Sequence, residues 1–197
     1  MKYDEFEAKV NPFAIFGKEV VGNQALQLHR WVQKGKLIRI KRGLYTLPKE
    51  RQKTSFSLSW LANTIYSPSY LSLESVLSRY DLIPERVPLW TSVTRLKTAR
   101  FENPLGIFSY RHLKKELFFG FHPVKDEQGR DVLMAEPEKA LLDLLYFKNN
   151  WDPTENFLTE DLRLQQLSQL RKNRLKAYSA RYDLKTRAAV KILMKII

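Results

Sequence analysis

Apolar positions recur at intervals of three and four along most of the chain and give way in places to intervals of two. Tyr3, Phe6 and Val10 share one side of a short helix over residues 3–9. Asn11-Pro12 ends it, because proline lacks the amide a helix needs and keeps the residue before it out of the helical region. A second short helix is expected from about Phe13 to Val20. Gly22-Asn23 then turns the chain, and the Asn23 side chain can cap a third helix running from Gln24 to Lys34, with Gly35 as its stop. On that helix Ala25, Leu28 and Val32 share an inward face, flanked by Trp31 and with His29 close to it. Gln27, Arg30 and Lys34 share another face. The period then shortens to two: in Leu37-Ile38-Arg39-Ile40-Lys41 the isoleucines point one way and Arg39 and Lys41 the other. Arg42-Gly43 turns the chain, Leu44-Tyr45-Thr46-Leu47 returns, and Pro48 closes a short hairpin with a basic outer face.

The polar run from Lys49 to Thr54 reads as a linker and divides the chain into a domain over residues 1–50 and a second over 54–197. Helical periodicity resumes from Phe56 to Ile65, Ser67-Pro68-Ser69 interrupts it, and another helix is expected from Leu73 to Tyr80. Strand patterns follow at Leu89–Thr94, Gly106–Arg111, Phe118–Val124 and Val132–Ala135, with Asp126-Glu127-Gln128-Gly129 as a turn. Pro137 opens a helix from Glu138 to about Phe147, since proline suits the first helical position and an acid suits the positive end of the helix. Beyond Pro153, residues 160–178 and 184–197 predict two basic amphipathic helices in a tail over 159–197. Their apolar faces are Leu162, Leu167 and Leu170, and Val190, Leu193 and Ile197. The class is α+β: three helices and a basic hairpin in the order of a winged helix-turn-helix, then a mixed α/β domain with a mainly antiparallel sheet and C-terminal helices.

Charge sharpens this picture. The net charge of +13 lies at the two ends, with a net +7 over residues 1–53, −1 over 54–159 and +7 over 160–197. Between Arg30 and Lys53 nine basic residues meet one acid, Glu50. Such a surface points to an anionic partner, phosphate backbones first. Cysteine is absent, so no disulfide or thiolate metal site can form. The N-terminus MKYDEFEAKV carries acids where a signal peptide has a basic region, and no apolar run reaches the ~18 residues of a spanning helix. A cytoplasmic protein without a membrane partner is expected.

A recognition helix must bury one face and offer hydrogen-bonding groups to the major groove. Gln reads adenine and Arg reads guanine through paired hydrogen bonds. Gln27 and Arg30 are therefore the expected readers, with Gln24 at the helix start and Lys34 and Lys36 toward phosphate. Arg39, Lys41 and Arg42 on the hairpin would grip the backbone or minor groove, giving salt-dependent affinity without sequence choice. A Gln, Arg and Lys face is by itself more often a solvated one; the coincidence of helix order, hairpin and missing acids within one segment favours double-stranded DNA.

Residues 25–47, above all GKLIRIKRGLYTLP, resemble the N-terminal winged helix of the AbiEi antitoxins of type IV abortive-infection toxin–antitoxin systems. SPSYLSLESVLSRYDLIPE at 67–85 and AEPEKALLDLLYF at 135–147 resemble segments of that family's C-terminal domain. The resemblance implies a repressor that binds inverted repeats in its own operator. It also implies neutralisation of a nucleotidyltransferase-like toxin without a stable complex. A monomer binding cooperatively to the repeats is one arrangement it allows. No catalytic residue, metal or cofactor is expected.

Two rivals stand beside it. The 24 aromatic residues could stack bases in an RNA-binding module, but most fall at apolar-periodic positions. Glu136, Glu138, Lys139 and Asp143 could belong to a metal-dependent nuclease in the middle of the chain. A helix start explains the two glutamates more simply, and His29, His112 and His122 lack metal-ligand spacing.

Overall fold

The structure is a computed structural model that describes residues 2–17, 22, 25–85 and 88–197. Helix α1 spans Tyr3–Val10, strand β1 Phe16–Gly17 and helix α2 Ala25–Gln33; strands β2 and β3 are Ile38–Lys41 and Leu44–Thr46. The three strands form a small antiparallel sheet in the order β1-β3-β2. Phe16 lies opposite Tyr45, and its ring packs edge-on against Phe6 at 5.7 Å. That burial and the pairing with β3 make residues 16–17 a strand, against the helix expected from Phe13 to Val20. The remainder of that helix, at 18–20, lies outside the described residues, as do Asn23 and Gln24.

One aromatic core holds this unit: Tyr3, Phe6, Phe16 and Trp31 with Val10, Leu28, Leu37 and Leu47. Phe6 and Trp31 sit 4.5 Å apart between centroids. The buried residues of α2 are Leu28 and Trp31, while Ala25 is exposed and Val32 half-buried. The inward face thus centres on the indole rather than on Ala25-Leu28-Val32, because the larger ring removes more apolar surface from water. The polar run expected as a linker is fastened to this unit. Lys49–Arg51 form a 3-10 turn, the Gln52 amide donates to the Leu47 carbonyl at 2.6 Å, and the Lys53 N–H donates to Asn11 Oδ1 at 3.0 Å.

The larger unit is built on a six-stranded sheet. Its strands are β4 Ser69–Leu71, β5 Leu89–Thr94, β6 Ala99–Asn103, β7 Gly106–His112, β8 Phe121–Lys125 and β9 Asp131–Ala135. The order β6-β7-β5-β4-β9-β8 alternates three antiparallel pairings with two parallel ones, β5/β7 and β4/β9. The sheet is therefore mixed rather than mainly antiparallel. Two strands that the hydrophobic pattern did not give produce this: β4, which begins inside the Ser67-Pro68-Ser69 break and lies at the centre, and β6, an edge strand. Residues 118–120 lie outside β8, which starts at Phe121.

Helices cover both faces. Helix α3 (Leu58–Ile65) lies on one side, where the buried Tyr110 hydroxyl donates to the Ala62 carbonyl at 2.6 Å. Helix α5 (Pro137–Phe147) lies on the other, with α4 (Glu74–Arg79), α6 (Lys172–Ser179) and α7 (Leu184–Ile196) around it. Residues 138–145 of α5 are buried without a break. The residue before α4, Leu73, adopts φ 59° and ψ −142°. That region belongs to glycine, and its occupation costs about 1–3 kcal/mol.

Two charges lie at the centre. Asp143 Oδ1 accepts from the Lys139 ammonium, one turn earlier, and from the Tyr182 hydroxyl at 2.7 Å. Its Oδ2 accepts from Ser72 at 2.8 Å and Tyr70 at 3.0 Å, and Lys139 also donates to Tyr182 at 2.6 Å. Burial pulls the Lys139 ammonium below the usual lysine range against the opposing pull of Asp143, and pushes both tyrosine hydroxyls up.

The tail is bound to this helix. Arg174 lies 2.9 Å from Glu136, the Tyr178 hydroxyl donates to Glu136 at 2.6 Å, and the Arg171 N–H donates to Glu138 at 2.7 Å. Residues 162–171 are not the helix their charge pattern suggested. A π-helical turn at Phe157–Asp161 and a 3-10 turn at Leu167–Gln169 precede α6, and Arg163 and Gln166 take left-handed backbone. That path buries Leu162, Leu164 and Leu170 and leaves Leu167 half-buried.

Removing one partner of a buried ion pair strands the other charge. Asp143→Ala should lower the free energy of unfolding in urea by about 3–5 kcal/mol, and the double change Lys139→Met, Asp143→Leu should cost less. A single-variant loss below about 1 kcal/mol would show that the network carries no weight.

Candidate nucleic-acid interface

Helix α2 sets the outward groups of the first unit. With Leu28 and Trp31 buried, its solvent face carries Leu26, His29, Arg30 and Gln33, spaced three and four apart. Leu26 is 65% exposed, an unusual place for a large apolar side chain. Arg30 stands on this face as the sequence suggested, Gln27 is half-buried beside it, and Lys34 is exposed just beyond the helix. His29 is exposed rather than packed. Sequence reasoning missed Leu26, His29 and Gln33. The signal that identifies them is Trp31: once the indole is placed inward, 3.6 residues per turn put these three outward.

The hairpin divides its cations. Arg39, opposite Tyr45, and Arg42, in the β2–β3 turn, are exposed. Lys36 holds its ammonium 4.3 Å from the centroid of the Tyr3 ring, whose hydroxyl donates to the Lys36 carbonyl at 2.9 Å. Lys41 departs from the expected outer face. The register shifts between Arg39 and Lys41, and the Lys41 ammonium donates to the Ile65 carbonyl at the end of α3 at 2.5 Å. The same shift sends Ile40 into the core of the larger unit, where the Asn103 amide donates to the Ile40 carbonyl at 3.1 Å. Lys41 thus fastens β2 to the second unit instead of extending the basic face with Arg39.

The features behind the two rivals are engaged elsewhere. Among the described residues the exposed large apolar side chains are Phe13, Leu26, Leu96, Leu133 and Leu184. Asp143 is fully buried with both oxygens bonded, and among the described residues no group of three or more His, Cys, Asp or Glu could hold a metal ion. Nor, among them, is any helix long and apolar enough to cross a membrane.

An outward helix face carrying amide, imidazole and guanidinium groups beside a basic hairpin offers hydrogen bonds that suit base edges and charges that suit phosphates. Residues 18–48, which hold α2 and the hairpin, match the family described as a transcriptional regulator, AbiEi antitoxin. No curated protein matches the chain.

If Lys41 is a fastening and not a phosphate ligand, its loss should be felt in stability. Lys41→Met should lower unfolding stability by about 1.5 kcal/mol, since a hydrogen bond from a charged donor is lost and a carbonyl is left open. The salt dependence of nucleic-acid binding should be unchanged in the same variant. A flattened salt slope with intact stability would return Lys41 to the phosphate contacts.

Proposed function

We propose that the chain is a DNA-binding antitoxin and transcriptional repressor, not an enzyme, and that residues 1–50 form a winged helix-turn-helix domain ahead of a second domain over 54–197. In this reading α2 enters the major groove and the β2–β3 hairpin is the wing. The strand order β1-β3-β2 behind α2 supports it, as does the regulator-family match over residues 18–48. The observation that carries it is the outward face of α2, which sets Arg30 among Leu26, His29 and Gln33 while Leu28 and Trp31 are buried.

Each of these side chains has a base edge it suits. Arg30 pairs with guanine, Gln33 and Gln27 with adenine, and Leu26 meets a thymine methyl. His29 offers a ring N–H or an acceptor nitrogen. Arg39, Arg42 and Lys34 face the phosphates and supply affinity that falls with salt. The DNA partner is the operator of the chain's own operon, with inverted repeats occupied by monomers that bind cooperatively. The functional partner is a nucleotidyltransferase-like toxin that the protein counteracts in the cytoplasm without a lasting complex. These last assignments rest on the resemblance of GKLIRIKRGLYTLP and the two later segments to the AbiEi antitoxins.

A mobility-shift titration across salt, comparing the native promoter with random duplex, tests the reading. The wild-type protein should prefer the promoter, and Arg30→Ala should reduce that preference by about 1–3 kcal/mol. Arg39→Ala and Arg42→Ala should each weaken both duplexes alike and flatten the salt slope by about one unit. Equal affinity of the wild type for promoter and random duplex would sink sequence-specific repression.

A further inference from the structure

The DNA reading uses nothing of two segments that stand out in the sequence, SPSYLSLESVLSRYDLIPE and AEPEKALLDLLYF. In the fold they meet. Tyr70 and Ser72 of the first reach Lys139 and Asp143 of the second in the buried network. Farther along the same sheet face, where α5 ends and the sheet runs on uncovered to β7 and β6, they meet again at an open cavity of about 310 Å³.

The walls of that cavity differ from end to end. Leu89, Leu144 and Phe147 supply apolar surface, and Ser109 sits on the sheet floor. Arg100, Arg111 and Lys148 bring three positive charges against the single carboxylate of Glu74. Among the described residues no acidic side chain pairs with Arg111 or Lys148, and the one partner of Arg100 is exposed Glu102 at 3.7 Å. An exposed pair of that length is weak and gives way readily to a better anion. The Arg111 guanidinium lies 5.4 Å from the centroid of the Phe147 ring. That contact stations a cation on the apolar wall while leaving its hydrogen-bond donors free. Leu73, held in its glycine-like backbone conformation, is part of the same lining.

Glu74, Leu144 and Lys148 also line a second cavity, of about 230 Å³, whose other residues include Glu85 and Asp161. The combined groove is cationic at one end and carries carboxylates at the other, where Glu85 is paired with Arg163 at 3.0 Å and Glu74 and Asp161 have no ion-pair partner among the described residues. A ligand that fits carries phosphate at one end, hydrogen-bond donors such as ribose hydroxyls or an exocyclic amine at the other, and a flat apolar middle. We propose that this groove binds a nucleotide, with Arg100, Arg111 and Lys148 on the phosphates, Glu74 on the sugar or base donors, and Leu89, Leu144 and Phe147 against the base. The nucleotide comes either free or as the terminal residue of an RNA strand.

Calorimetric titration of the full chain tests it, with ATP, GTP, CTP and UTP in one arm. A short single-stranded RNA forms a second arm and inorganic pyrophosphate a third. Saturable binding of at least one nucleoside triphosphate or of the RNA is expected, and the arm that responds identifies the source. Arg111→Ala and Lys148→Ala should each weaken that binding roughly tenfold, because each removes a charge-assisted contact. Arg39→Ala on the hairpin should leave it unchanged, which separates the groove from the DNA-facing surface. Arg111 and Lys148 are exposed, so both variants should keep the wild-type circular dichroism and melting. Absence of saturable binding in every arm overturns the proposal. So does binding that the Arg111→Ala and Lys148→Ala double variant retains in full, or pyrophosphate binding as tight as that of any nucleotide.

Discussion

A lysine ammonium with no access to water governs the architecture of the larger unit. Lys139 is fully buried, and an unpaired charge there would cost several kcal/mol. Its neutralisation needs Asp143 on the same helix face, and Asp143 in turn needs donors for its remaining lone pairs. Those donors come from the central strand (Tyr70), from the residue just beyond it (Ser72) and from the turn between the last two helices (Tyr182). Sheet, central helix and tail therefore have to arrive together. Apolar packing alone tolerates shifts of register; a carboxylate with four donors does not. Glu136 and Glu138 extend the arrangement by gripping Arg171, Arg174 and Tyr178, so the basic tail is a structural layer of the unit and not an appendage.

The smaller unit solves a different problem. Fewer than sixty residues bury little surface, and four aromatic rings supply most of what there is. Its hairpin does not stand free. Ile40 enters the larger core, Asn103 bonds the Ile40 carbonyl, and Lys41 bonds the end of α3. These contacts fix the hairpin's inner edge and leave Arg39 and Arg42 outward. A contact surface fixed in this way loses less conformational freedom on docking to a duplex than a loose arm would.

Elements with strong periodicity were legible in the sequence. Helix α1, the β2–β3 hairpin, β5 and α5 lie close to where the apolar spacing and Pro137 put them. What the spacing could not give was set by distant partners. Residues 16–17 pair with β3 across nearly thirty residues of chain, and that pairing outweighs a local helical pattern. β4 is three residues long and begins where Ser67-Pro68-Ser69 reads as a break. The outward face of α2 was misjudged by one position because Trp31 was set at its flank, which hid Leu26, His29 and Gln33. Lys41 was misplaced because a shift of register between Arg39 and Lys41 leaves no mark in an alternating sequence.

The buried network also explains why the groove at the end of α5 is open. Lys139 and Asp143 draw the first two turns of the helix down onto the centre of the sheet, where Asp143 meets Tyr70 and Ser72. The sheet, however, extends two strands past β5, to β7 and β6, and on this face those strands present Ser109, Arg111 and Arg100 to the groove. A helix laid over them would bury two arginine charges that have no buried partners, so the cover stops and the charges remain in reach of solvent and solute. Strand β6 then joins the groove to the hairpin, with Arg100 on the groove and Asn103 bonded to the hairpin beside the exposed Arg39 and Arg42. A ligand in the groove changes DNA affinity only to the extent that it favours one position of β6 over another. Two residues of a hydrogen-bonded strand separate the two contacts, Phe101 and Glu102.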